Sequence, residues 1–179
     1  ASIDASALNT LNGYTTGNVD ATTAESFTGT ISDLNTLYAA AASSGDGIKG
    51  LGSEAATVTD ESVSASDLNT LNTNTDYNIT VNATAISGSL SDVSTLYGNK
   101  AADSNADTNG FTGLGNEAIT LTDTGSIAAN TLLTVAQANS SGTVDASNAG
   151  TITGTAEQII NAYADSTITE ASNVALTVN

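Results

Sequence analysis

Gly29-Thr30-Ile31-Ser32-Asp33-Leu34-Asn35-Thr36-Leu37-Tyr38 decides how this chain is read, because it returns twice. Gly88-Ser89-Leu90-Ser91-Asp92-Val93 with Leu96-Tyr97 is the second copy, and Gly154-Thr155-Ala156-Glu157-Gln158-Ile159 with Ala162-Tyr163 the third. Each copy sets a hydroxyl three residues ahead of Asp or Gln, the arrangement of a capping box, with Asp a shorter version of the usual Glu or Gln. Leu34, Leu37 and Tyr38 then follow at i, i+3 and i+4, one apolar stripe on a short helix. A second helix start precedes each of these in the first two copies. Leu8-Asn9-Thr10-Leu11-Asn12 returns as Leu68-Asn69-Thr70-Leu71-Asn72 and more loosely over Leu132 to Val135, with Ser64 ahead of Asp67.

Other blocks recur at the same spacing. Val19-Asp20-Ala21 matches Val81-Asn82-Ala83 and Val144-Asp145-Ala146, and Gly50-Leu51-Gly52-Ser53-Glu54-Ala55 matches Gly113-Leu114-Gly115-Asn116-Glu117-Ala118. The third copy departs most: it lacks the Gly-Leu-Gly-x-Glu block and keeps only Ile168-Thr169-Glu170-Ala171 in its place. The chain thus divides into three repeats, 1–61, 62–125 and 126–179, of about 60 residues, and each into two coils of about 30.

Between the helices, apolar residues alternate with threonine: Ile119 and Leu121 around Thr120, Leu176 and Val178 around Thr177, Ala56 and Val58 around Thr57, and the set Ile79, Val81, Ala83. Such runs predict short half-buried strands, with glycines at the corners. The expected fold is a right-handed β-solenoid of about six coils, with parallel short strands and one short α-helix per coil. Successive strands about 4.8 Å apart would make a rod of roughly 30 Å. High charge and low complexity are the argument for disorder; the caps and alternating strands are the stronger argument for order.

Composition narrows function. There is no Cys, Met, Trp, His, Pro or Arg, and Lys49 and Lys100 are the only cations against 19 carboxylates, a net charge of −17. Two lysines cannot neutralise a phosphate backbone, so no nucleic-acid partner is expected. No apolar run approaches the ~20 residues of a spanning helix, so no membrane insertion is expected, and an anionic surface would repel the chain. Acid–base or thiol catalysis has no His or Cys to use. No carboxylate pair stands out for glycoside hydrolysis, and Gly50 and Gly52 lack the helix-opening context of a phosphate loop. The expectation is a protein that is not an enzyme.

One run has metal-ligand spacing. Asp103, Asn105, Asp107 and Asn109 place oxygens at alternate residues before Gly110, as in the opening of a calcium loop. Counted from Asn105, the twelfth position is Asn116 and Glu117 comes one late. The alternative is a solvated acidic loop. The recurrent Asp20, Asn82 and Asp145 fit turn capping better than a cation ladder. The column Tyr38, Tyr97, Tyr163 fits groove packing better than a sugar platform.

The segments 154–164 and 113–123 resemble tandem repeats of giant secreted "beta strand repeat-containing" surface proteins of marine cyanobacteria. The resemblance covers nearly the whole chain and implies an extracellular or cell-surface location and structural or binding work. The leading expectation is a structural module of a surface or filament-forming protein, its partners being copies of itself or neighbouring repeats, head to tail. The alternative is a calcium-dependent adhesive or glycan-binding module of a large secreted adhesin. Residues 174–179 match the strand just before Glu61, and Ala1 to Ser6 match Glu61 to Ser66. The two ends are therefore expected to continue one another, either as a segment of a longer array or by stacking of subunits.

Overall fold

In the computed structural model of the chain, residues 2–41, 47–100 and 110–179 are described. They form six helices and fifteen strands, five strands to each repeat. The first repeat runs β1 (Ser2–Asp4), α1 (Ala5–Gly13), β2 (Asn18–Asp20), β3 (Ser26–Gly29), α2 (Ile31–Ala39), β4 (Gly47–Lys49), β5 (Ala55–Val58). The second runs β6 (Ser62–Ser64), α3 (Ala65–Asn72), β7 (Asn78–Val81), β8 (Ala85–Gly88), α4 (Leu90–Gly98), β9 (Gly110–Thr112), β10 (Ala118–Leu121). The third runs β11 (Ser126–Ala128), α5 (Ala129–Ala138), β12 (Thr143–Ala146), β13 (Thr151–Gly154), α6 (Ala156–Ala164), β14 (Ile168–Glu170), β15 (Ala175–Val178).

The fold is a repeat-like α/β arrangement in which parallel strands alternate with helices. It divides into two compact units. One holds Ala1–Glu61, Asp67–Ala83 and Asn99–Gly113, the other Ser62–Ser66, Thr84–Gly98 and Leu114–Asn179. The middle repeat contributes to both. The reason lies in strand pairing. In the first unit the order β1-β3-β5-β7-β9 joins strands one, three and five of the first repeat to strands two and four of the second. In the second unit β6-β8-β10-β12-β14 does the same for the second and third repeats. Two shorter sheets complete the set: β2-β4, strands two and four of the first repeat, and β11-β13-β15, strands one, three and five of the third. Each repeat thus opens one sheet with three strands and closes another with two.

The register stacks like on like. Ile3, Phe27, Ala56, Ile79 and Phe111 form one inward column in the first unit. Both phenylalanines are fully buried there, with the small Ala56 easing the column between Phe27 and Ile79. Val63, Ile86, Ile119, Val144 and Ile168 form the corresponding column in the second unit. Each such aliphatic residue, fully buried, contributes roughly 1.5–3 kcal/mol, so a chain poor in aromatics still assembles a core from repeated small steps.

The helix starts follow the sequence with one change. Thr30 accepts from the Asp33 N–H at 3.1 Å, and Ser89 from the Asp92 N–H at 3.1 Å. Asp33 and Asp92 do not complete the box in the usual way; each accepts from the cap hydroxyl at 2.7 Å instead. The exposed first amides are met by other carboxylates, Asp60 accepting from Ile31 N–H and Asp123 from Leu90 N–H, both at 2.7 Å. At Thr155 the longer Gln158 side chain reaches back and the reciprocal box is complete.

Candidate functional site

The most elaborate polar arrangement lies in the second unit, where α4, the loop before β10 and the end of α5 meet. Tyr97, Glu117 and Asn139 are all buried. The Tyr97 hydroxyl is within hydrogen-bond reach of both the Glu117 carboxylate and the Asn139 Oδ1, the latter at 2.9 Å. Glu117 also accepts from the Gly115 N–H at 2.9 Å and the Asn116 N–H at 3.2 Å. Asn139, the C-cap of α5, donates through Nδ2 to the Glu117 carbonyl at 2.9 Å and accepts from the Glu117 N–H at 3.2 Å. Burial, and then the neighbouring Glu117, pushes the Tyr97 phenol far above its ordinary value.

A glycine-bound loop makes this possible. Gly113 has φ +86°, and a Cβ there would lie 2.3 Å from the Val81 carbonyl oxygen, so no other residue fits without a shift. The loop then turns its amides onto the buried carboxylate, which satisfies both. The first unit carries a looser version. Glu54 accepts from Gly52 and Ser53 N–H groups at 2.8 and 3.1 Å, and the Thr75 hydroxyl donates to the Glu54 carbonyl at 2.7 Å. The Tyr38 hydroxyl lies 3.4 Å from the same carbonyl, and burial pushes its phenol up to about 12.

The third repeat lacks the arrangement. Ile119 on β10 and Leu176 on β15 hold the same register position, opposite Ile86 and Ile152. Val174 therefore stands where Glu117 stands, and Glu170 where Gly113 stands. The run Ile168-Thr169-Glu170-Ala171, kept in the third copy, therefore matches the start of the glycine block and not its glutamate. Tyr163 is 44% exposed, against 5% and 6% for Tyr38 and Tyr97, so the tyrosine column is not uniform. Burial raises the Glu170 carboxyl above its ordinary value, and its Oε1 is buried with no hydrogen-bond partner.

The cluster is built to hold structure. Its polar groups are turned on one another, and both Glu117 and Asn139 are sealed from solvent. A groove of about 390 Å³ in the second unit, between α4 and the start of α5, is lined mostly by small hydroxyl residues such as Ser94 and Thr131, with Leu90 and Ile127. Its one carboxylate, Asp123, already accepts from Leu90 N–H. Paired-carboxylate chemistry has no second partner there.

Asp103, Asn105, Asp107 and Asn109, the expected calcium residues, lie outside the described residues. Among the described residues no group of three or more His, Cys, Asp or Glu side chains could hold a metal ion, and no helix is long and apolar enough to cross a membrane. Asp20 and Asp145 cap their own turns: Asp20 Oδ1 accepts from the Thr22 hydroxyl at 2.7 Å and the Thr22 N–H at 3.0 Å, and Asp145 Oδ1 from the Ser147 N–H at 2.9 Å. These bonds hold both carboxyls below their ordinary value.

Glu117 and Asn139 were not singled out from the sequence as a site. The recurrence of Glu after Gly-Leu-Gly signalled a required residue, because a glutamate spaced two residues from a glycine can cap that loop. Asn139 had a weak signal, since Asn74 lies five residues before Ile79 as Asn139 lies five before Val144, while Tyr14 holds that place before Val19. No family model matches the chain, and neither does any curated protein or solved structure.

Proposed function

We propose that the chain is a non-catalytic structural module of an extracellular cell-surface or filament-forming protein, wound as a right-handed β-solenoid with a short helix in each coil. The strand order carries this reading. Strands one, three and five of a repeat are followed by strands two and four of the next, at both places where the chain can show it. A rule of that kind has no natural end point, and repeat architectures use it to extend length by adding identical units. Right-handed winding is what parallel crossover connections favour.

The chemistry agrees. The buried carboxylates Glu54 and Glu117 are occupied by backbone amides, and the chain has no His or Cys. The −17 charge suits a highly solvated exterior surface. The likeness of segments 113–123 and 154–164 to secreted surface arrays supports an extracellular location.

Duplication of residues 62–125 in tandem tests the module reading. The enlarged protein is expected to fold cooperatively, to melt no lower than the parent, and to grow in its longest dimension by small-angle scattering. An inserted repeat that stays unfolded would contradict the reading.

A further inference from the structure

We propose that the groove between α4 and β11 is a docking edge for an extended, lysine-bearing peptide segment of a partner, which adds to β11 as a further strand. The inference goes beyond the structural-module reading and does not rest on it.

The edge follows from the strand ladder. β11 is the outer strand of its sheet and pairs with β13 on one side only. Thr151 N–H donates to the Gly125 carbonyl at 3.2 Å, and the Thr153 hydroxyl to the Ile127 carbonyl at 3.2 Å, so Gly125 and Ile127 face β13. Backbone groups alternate in direction along a strand, so the N–H and C=O of Ser126 and the N–H of Ala128 face away from β13. The Ala128 carbonyl is taken by the first turn of α5, whose N-cap is Ala128. Among the described residues the three outward groups have no backbone partner. A free edge of this kind is a template for one more strand. β11 follows α4 and β10 in the middle of the sequence, so its open edge does not depend on where the chain begins or ends.

One side chain keeps the space beside this edge open. Between earlier helices an asparagine spans the gap. Asn9 of α1 donates to the Asp33 carbonyl of α2 at 2.9 Å, and Asn35 of α2 to the Asp67 carbonyl of α3 at 3.2 Å. The same position of α4 is Ser94, and its counterpart on α5 is Thr131. A serine is too short for the span, and both residues line the groove instead. About 390 Å³ of space results, with the buried Leu90 and Ile127 beneath it. Main-chain pairing along such an edge supplies affinity, and the space beside it takes alternate side chains of the added strand.

Charge selects the occupant. Asp123 is the charged residue of the lining, and it gives Oδ2 to the Leu90 N–H, which leaves Oδ1 for a cation. The compact unit that holds the groove has no Lys or Arg, because Lys49 and Lys100 both belong to the other unit. An acidic peptide is repelled there, whereas a lysine beside Asp123 is attracted. A second copy of this chain, with its net charge of −17, is disfavoured for the same reason.

The probe is an acetylated, amidated heptapeptide that alternates valine and threonine between two terminal lysines, titrated by calorimetry into the 179-residue protein at low salt. The expected result is saturable binding, with the Ser126 and Ala128 amides protected in hydrogen exchange. Affinity should fall by about tenfold or more when glutamates replace the lysines or when the inner peptide amides are N-methylated. Ser94→Asn, which restores the span to Thr131, should keep the parent's melting temperature and weaken binding by about tenfold. Asp123→Asn keeps the acceptor for Leu90 and should weaken binding several-fold, whereas Glu157→Gln, at an exposed site on α6, should leave it unchanged. No saturable binding, equal affinity for the N-methylated or the glutamate peptide, or a Ser94→Asn variant that binds as the parent does would overturn the site. Dimers of the parent that Ser94→Asn abolishes would overturn the occupant, placing a second copy in the groove. None of these results touches the module reading, which fails only if the tandem repeat does not fold.

Discussion

The loop before β10 and the loop before β15 occupy the same place in successive repeats and are built in opposite ways. Before β10, Gly113 and Gly115 bend the chain so that amides converge on the buried Glu117, and Tyr97 and Asn139 close the remaining valences. Before β15, Glu170 and Val174 take the places of Gly113 and Glu117, a Val174 N–H to Ala171 carbonyl bond of 3.2 Å makes the turn, and Tyr163 stands open. The first loop is covered by Asn139 of the following repeat. A buried carboxylate is tolerable only where every partner is supplied, so the polar version suits a junction made within one chain.

That contrast can be broken by moving residues between the loops. Glu117→Ala is expected to cost the most, about 3 kcal/mol or more, because it strands two loop amides and leaves a cavity beside the Tyr97 hydroxyl; denaturant titration measures it, and a loss under 1 kcal/mol would deny the cluster its role. Gly113→Glu, which installs the third repeat's residue, should destabilise by about 1–3 kcal/mol through the left-handed backbone and the Val81 carbonyl. Glu170→Gly should cost less than half as much.

The tyrosines give a smaller effect with a pH signature. The Tyr38 phenol is raised to about 12 by burial, so its contribution is complete below its ordinary value of 10 and is lost as pH rises towards 12. Alkaline melts should therefore fall steeply over that range in the parent and less steeply in Tyr38→Phe. Tyr163→Phe should leave stability within about 0.5 kcal/mol, as for other surface changes. Least of all, Asp145→Asn keeps the turn acceptor for the Ser147 N–H. It should remove only a slight loss of stability below the ordinary aspartate value of 3.8, since the carboxyl is held lower than that in the fold.

Much of the fold was legible because the repeats are local. Thr30, Ser89 and Thr155 start helices as their spacing predicts, and Ile119, Leu121, Ala56 and Val58 face inward on strands. Pairing across repeats was less legible. The coil length varies, with Ser26 paired to Ser2 but Ala118 to Ala85, and a simple count of coils conceals that five strands per repeat share themselves between two sheets. The Tyr97 cluster was half visible. Its glutamate recurs within a block, whereas Asn139 reaches it from 22 positions further on and recurs only as the isolated Asn74. Val174 was missed because the short likeness at Glu170-Ala171 pulled the comparison out of the register that strand pairing sets.

The central claim is that one repeat's sheet is continued by the next, strand five of one repeat receiving strand two of the following one. Small-angle scattering and denaturant titration of the chain with residues 62–125 duplicated in tandem test this most directly. The account predicts one cooperative transition and a longest dimension greater than the parent's. An added repeat that stays unfolded would contradict it.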